Sequence, residues 1–422
     1  MGKKPTTKNG KLPVHDVKRV LVLGGGAPNF TLMSGALLAL HEAGVKFDHI
    51  YMAGAGAVVG LIYLAPKDLT RERALRNTVN FGISDSIYEL LPINYKLFSK
   101  SGPSADAFRD FWHDFPPAVA ARNQYGMNPA EKLGSDWFLM LGAMMCPTDL
   151  DYFSTGVCAH APFIEDVVDF EKLYQARYDR PHCSLGAYCI EEEEMEEFEK
   201  PEINLNHFRA ALAYPYIYPP YQIGERHYYE GASVETLGLI TFGAQTLRIP
   251  LVKPPVGPKK ATGNGGHETS WPNPKKPFYK FVLMDVMKPE VIQRPRDLWG
   301  AYIQSIIIPL VANAEKELAI FRHWLDTGHL LTTLKLEARY QHIVRRLRED
   351  QRPNAKAYVV HFRVPDWQRP YLLDWTSSNL ECLFDVGYEA GRRFMESERH
   401  GIELQSDDYV TDTTRPGAEM DE

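Results

Sequence analysis

Between Arg19 and Leu64 the chain twice runs an apolar strand into a small-residue turn and then an apolar helix. No other feature narrows the fold as much. Residues 19–23 (Arg-Val-Leu-Val-Leu) read as a buried strand, and Gly24-Gly25-Gly26 turn the chain. Residues 31–43 carry a helical pattern, with Leu32, Ala36 and Leu40 on one face and Met33 and Leu37 beside them. Gly44 supplies a C-terminal stop. A second strand at residues 49–53 enters a Gly/Ala turn and a second apolar helix at residues 57–64. Strand–helix–strand–helix order predicts a mainly parallel sheet flanked by helices, an α/β architecture in three layers.

Later segments extend this pattern. Residues 67–134 are mixed and mostly helical, and are expected to form a cap over one end of the sheet. The apolar run at 137–144 reads as another buried strand. Further strands are expected at 226–229, leading into Glu230-Gly231-Ala232, and at 278–286 and 357–362. Long helical patterns occupy 299–325 and 331–347. Residues 253–277, rich in Pro, Gly and Lys, read as a mobile surface loop. The expected division is a flexible basic tail (1–16), one domain (17–396) and an acidic, disordered tail (397–422).

Of the 422 residues 44% are apolar, enough for a sizeable core. A formal charge of −7 leaves no basic field, which excludes a nucleic-acid partner. The acidic run 191–197 reads as a solvated face or loop. The five cysteines lack metal-ligand spacing and fit ordinary thiols of a reducing compartment. No metal and no cofactor is expected. The run at 20–23 is strand-length and ends in glycines, and the apolar run 306–311 is interrupted by Pro309 and too short to cross a bilayer. A cytoplasmic protein with at most peripheral membrane contact is the expectation.

Glycines between a strand and a helix aim backbone N–H groups at negative charge. A dinucleotide site wants GxGxxG, but Asn29 stands at the third glycine and Asp48 precedes the second strand instead of ending it. A P-loop wants GK followed by Ser or Thr, which is absent. The third possibility is an oxyanion hole formed by Gly24, Gly25 and Gly26. The next turn, Ala53-Gly54-Ala55-Gly56-Ala57-Val58-Val59-Gly60, has the layout of a nucleophile elbow, in which a sharp turn presents one side chain at the top of the sheet. The residue presented is Gly54.

These segments resemble the opening of patatin-like phospholipases. The likeness rests on Gly24-Gly25-Gly26, the helix Ser34-Gly35-Ala36-Leu37-Leu38-Ala39-Leu40, the strand 50–53 and Gly56-Ala57-Val58-Val59-Gly60-Leu61. The second half is similar too: Arg209-Ala210-Ala211-Leu212-Ala213-Tyr214-Pro215 with Tyr218-Pro219-Pro220, then Glu230-Gly231-Ala232 where the family has Asp-Gly-Gly/Ala. Leu373-Asp374-Trp375 and residues 383–392 look like the family's closing helix. The resemblance implies the patatin-like fold and a Ser–Asp dyad acting on acyl esters. Gly54 occupies the serine position and Glu230 the aspartate position. No hydroxyl or thiol lies between Tyr51 and Leu61. The family's Arg-Gly falls on Pro28-Asn29, and the glycine that opens the elbow falls on Met52.

Coordinated departure at each catalytic motif implies a lineage without the original chemistry, since no acyl-enzyme forms without a nucleophile. The expected function is non-hydrolytic, with a lipid or acyl-containing small molecule or a protein as partner. The alternatives are a lipid acyl hydrolase, with a relocated nucleophile (Ser34 is nearest the glycine loop) or water activated by Glu230, and a structural subunit of a larger complex. Of the tyrosines before the second motif (Tyr214, Tyr216, Tyr218, Tyr221, Tyr228 and Tyr229), most are expected to pack around prolines and one or two to line a pocket mouth.

Overall fold

The computed structural model describes residues 17–160, 162–175, 181–200, 202–246, 278–327 and 355–399. The basic tail, the 253–277 loop, the 331–347 helical pattern and the tail beyond residue 399 lie outside them.

The opening repeat forms as its pattern dictates: β1 (Val17–Leu23), α1 (Phe30–Glu42), β2 (His49–Ala53) and α2 (Ala55–Leu64). Gly44, at φ +76°, closes α1. From Val20 in β1 and from Ile50 in β2 every strand residue is buried, as expected where helices cover both faces of a parallel sheet. Helices α3 (Arg71–Asn77), α4 (Asp85–Leu90), α5 (Pro103–Asp114), α6 (Pro116–Arg122) and α7 (Pro129–Met145) follow, then α8 (Phe170–Gln175). After them come β3 (His182–Cys189), β4 (Glu194–Glu199), α9 (Leu205–Ala211), β5 (Tyr221–Ile223), β6 (Arg226–Glu230) and α10 (Leu239–Thr246). The remaining elements are β7 (Phe278–Met284), α11 (Leu298–Thr327), β8 (Ala355–Val359) and α12 (Ser377–Arg399).

The strands make one mixed sheet in the order β5-β6-β3-β2-β1-β7-β8, with β4 also on β3. Strands β3, β2, β1, β7 and β8 run parallel, whereas β4 and β6 are antiparallel to β3. Alternation along β2 separates the two covering layers. Met52 faces α2, its sulfur lying 2.2 Å from where a Cβ on Gly60 would stand. Tyr51, on the other face, stacks on Phe242 of α10 at 4.5 Å. Phe281 of β7 meets Phe321 of α11 edge-on at 5.1 Å on that same side. Helix α12 crosses α1 with backbones almost touching, because a Cβ on Gly35 would lie 2.0 Å from the Phe384 carbonyl oxygen.

One expectation fails. Residues 137–144 are not a strand but the C-terminal half of α7. An apolar run does not by itself separate a buried strand from a helix. What decides here is the start of the element, a capping box in which Asn128 Oδ1 accepts from the Glu131 N–H (3.0 Å) and Glu131 accepts from the Asn128 N–H (2.9 Å), with Pro129 in the first turn. Asp136, Leu139 and Met140 are buried while Trp137, Leu141 and Met144 are exposed, a helical period. The acidic run, expected as a solvated face or loop, supplies the outer face of a strand. Residues 194–199 form β4, whose Met195 and Phe198 turn inward while Glu196 and neighbouring Glu192 pair with Arg226. Among the described residues no helix is long and apolar enough to cross a membrane.

Candidate functional site

The elbow survives as backbone. Gly54 links β2 to α2 at φ +50°, ψ −127°, a conformation that glycine adopts without a Cβ penalty. Helix α2 then lies so close to β1 that a Cβ on Gly56 would stand 2.3 Å from the Leu23 carbonyl oxygen. Small residues at the turn are therefore a packing requirement, whether or not the turn carries a nucleophile.

Register explains what meets Gly54. Strand β4 takes one edge of β3 over Ser184–Cys189, so β2 and β6 must share the other. Strand β2 pairs there up to Ala53↔Gly186, and β6 descends from the opposite direction until Glu230 faces Ala187. Glu230 thus arrives end-on above the last residue of β2. A Cβ built on Gly54 would lie 2.1 Å from Glu230 Oε1 and 3.0 Å from its Cδ. On Gly25 it would lie 3.7 Å from the same oxygen. Gly24 and Gly26 face elsewhere, the first against Leu237, the second, at φ +126°, against Val286 and Met287. Gly25, Gly54 and Glu230 are the sequence-selected residues that the fold brings together most closely.

Burial pushes the Glu230 carboxyl up to about 8. Among the described residues it accepts no hydrogen bond. Its backbone is well held: the N–H donates to the Ala213 carbonyl (3.0 Å), and its own carbonyl accepts from Ser233 Oγ (2.7 Å). The Gly25 N–H donates to the Thr236 carbonyl at 2.9 Å. Pro28, which has no N–H, lines the cavity beside Gly26. Ser34 is fully buried inside α1 and donates to the Phe30 carbonyl at 3.3 Å. Met52 is fully buried against α2, away from the bend.

A cavity of about 1090 Å³ opens on Glu230, Gly26, Ala55 and Val58. Its walls are largely apolar: Phe30, Phe81, Leu97, Phe98, Phe163 and Trp375 on one set of elements, and Ile303, Ile307 and Leu310 on α11. A space of this size and character accommodates a large apolar ligand with a few polar contacts. The α11 face went unnoticed as a site in the sequence, although its i, i+4, i+7 spacing marks one helix stripe. Of the six tyrosines, Tyr214, Tyr216 and Tyr218 line the cavity. Tyr221 and Tyr228 instead donate to Asn206 and Glu196, each at 2.8 Å. Among the described residues no three metal-type ligands converge. All five cysteines are free thiols.

The sequence model of the family described as patatin-like phospholipase matches residues 21–241, more than half of the chain. No curated protein sequence matches significantly. Among solved structures, VipD from Legionella pneumophila superposes with a TM-score of 0.33 at 12% identity, over 91% of this chain and 67% of that one. The heterodimeric ExoU–SpcU complex from the type III secretion system of Pseudomonas aeruginosa gives a TM-score of 0.23 at 15% identity, over 78% of this chain and 59% of the matched chain.

Proposed function

This chain belongs to the patatin-like phospholipase family, and from that premise we propose that it holds a lipid or acyl group in its cavity without hydrolysing it. One observation carries the reading. The space in which a side chain at position 54 would begin is filled by Glu230 Oε1, 2.1 Å from that Cβ position. Residue 54 offers no nucleophile, and the carboxylate that would serve one has moved into its place. Two further points support it. Acyl transfer needs N–H groups aimed at a developing oxyanion, yet the Gly25 N–H is spent on Thr236 and Pro28 has none to offer. Ser34, the nearest hydroxyl by sequence, is sealed inside α1.

With a pKa near 8, Glu230 is mostly protonated at neutral pH and can donate a hydrogen bond to an acyl carbonyl or carboxylate at the end of an apolar chain. Mass spectrometry of the native protein should find a co-purifying lipid, and a fluorophosphonate probe should leave the protein unlabelled. Stoichiometric labelling of a serine beside the cavity would overturn the reading.

The half-buried carboxylate, which accepts no hydrogen bond among the described residues, favours one second reading, hydrolysis by water activated at Glu230. That activity would rise as pH passes about 8 and vanish in Glu230→Gln. A purely structural role in a larger complex would leave the cavity empty in the same mass spectra.

A further inference from the structure

We propose that the outer face of helices α5 and α7 is a docking surface for a partner protein, which presents to it an amphipathic helix with an apolar stripe flanked by lysine or arginine. No residue of α5 or α7 lines the cavity, so the proposal does not rest on the lipid-holding reading.

The two helices run antiparallel. Cys146, at the end of α7, lies beside Ala105 at the start of α5 (Sγ to carbonyl oxygen, 3.9 Å), and further back a Cβ on Gly142 would stand 2.4 Å from the Trp112 ring. Trp112 stacks on Phe138 (5.2 Å) and meets Phe115 (5.5 Å), and Phe111 stacks on Phe115 (6.0 Å), so a chain of aromatic rings joins α5 to α7. The inward stripe of α7 is committed to the fold. Leu139 and Met140 pack with Ile83, Ile87 and Tyr95, and the Tyr95 hydroxyl donates to the Asp136 carbonyl at 2.8 Å. The outward stripe is bare among the described residues: Trp137, Leu141, Met144 and Met145 stand at i, i+4, i+7 and i+8, Met145 is 71% exposed, and Phe111 on α5 is 65% exposed. Single exposed apolar side chains are ordinary, whereas a straight stripe continued across a second helix marks an interaction site. Its spacing is that of a surface onto which a third helix packs. The two methionines, unbranched and easily repacked, suit such a contact.

Charge decides the occupant. Over residues 101–156 seven carboxylates stand against three basic side chains. Asp136 is spent inside on Lys96, Asp106 pairs with Arg109, and Asp114 is held by His113. The other four are exposed and make no ion pair among the described residues: Asp110 beside Phe111, Glu131 in the first turn of α7, and Asp149 and Asp151 just beyond its end. Nearby cations do not balance them. Arg122 lies 3.8 Å from Asp166, Lys132 donates to Asn80 (3.2 Å), and Lys100 donates to the carbonyls of Met144 (3.2 Å) and Cys146 (2.6 Å). An apolar stripe in an acidic surround repels an anionic bilayer and a second copy of itself, and attracts a helix whose flanks are basic.

The test is fluorescence anisotropy, with the full chain titrated into a labelled synthetic helix of about eighteen residues, roughly five turns. The peptide carries leucines along one face and lysines on the flanks, and a twin carries glutamates in place of the lysines. Wild type should bind the lysine helix, and the glutamate twin at least about ten-fold more weakly. Leu141→Gln/Met145→Gln should weaken binding of the lysine helix by roughly thirty-fold. Asp110→Asn/Asp151→Asn should weaken it by roughly five-fold at low salt, a difference that disappears as salt rises. All four side chains are exposed, so melting temperatures should not move, and the aspartate variant decides if the apolar one unfolds. Wild type that leaves the lysine helix unbound overturns the proposal, and so does binding that neither variant weakens. An unbound peptide beside a dimer that forms with concentration and is lost in Leu141→Gln/Met145→Gln gives the face to a second copy. An unbound peptide beside sedimentation with phosphatidylcholine–phosphatidylglycerol vesicles, lost in the same variant, gives it to a bilayer.

Discussion

Placing a side chain on Gly54 should be costly, and shortening Glu230 should refund part of that cost. In Gly54→Ser the new Cβ would stand 2.1 Å from Glu230 Oε1, 3.0 Å from Cδ and 3.1 Å from Ala232 Cβ. The glutamate must swing out of a site in which it is packed, an overpacking penalty of about 1–3 kcal/mol. The backbone at φ +50° adds about 1–3 kcal/mol of strain for a non-glycine residue. Gly54→Ser alone should therefore lose about 2–6 kcal/mol. In Gly54→Ser/Glu230→Ala only the backbone part remains, so a double-mutant cycle should return a favourable coupling of about 1–3 kcal/mol. Equilibrium urea unfolding at fixed pH measures it. A coupling within about 0.5 kcal/mol of zero would mean that Glu230 does not occupy the space of the missing side chain, and the reasoning fails. Activity gives a second reading of the same geometry. Gly54→Ser/Glu230→Asp restores the family's dyad on paper, but with one loop N–H committed and Pro28 lacking another, two donors at roughly a hundred- to a thousand-fold each are missing. No turnover of nitrophenyl esters above background is expected.

Three other outcomes follow from single contacts. The Glu230 carboxyl titrates near 8 in the fold against about 4.5 when free, so the folded state binds the extra proton and stability should fall as pH rises from about 4.5 to 8; Glu230→Gln should flatten that slope, as read by melting temperature across pH. Met52→Gly, which restores the family's glycine, should destabilise by about 3–5 kcal/mol, because the fully buried Met52 side chain fills the space over Gly60; a variant as stable as wild type in urea would contradict this packing. Lys96 Nζ lies 2.8 Å from the fully buried Asp136 and also donates to the carbonyls of Asn80 and Gly82, so Asp136→Ala should strand a buried cation and cost about 3–5 kcal/mol by the same measurement.

The chain's own order was enough for whatever is local. Strand, glycine turn and helix follow from side-chain periodicity and from the backbone freedom of a few small residues, and the absence of a nucleophile at Gly54 is visible in the letters alone. Helix α7 was also written there, in Asn128-Pro129-Ala130-Glu131, but the apolar run behind it reads equally well as a strand when the cap is overlooked. Hairpin β3–β4 is harder, since glutamates dominate β4 and only Met195 and Phe198 betray an inward face. Tertiary structure alone decided that Glu230 fills the place of the missing side chain. That contact needs β4 on one edge of β3, forcing β6 onto the edge that β2 occupies, so residues 54 and 230 meet through strand register, and no local propensity encodes which strand takes which edge. The same holds for the cavity, whose walls come from α1, α11 and the segments around them. Burial, which raises the Glu230 carboxyl, exists only once those segments have closed around it.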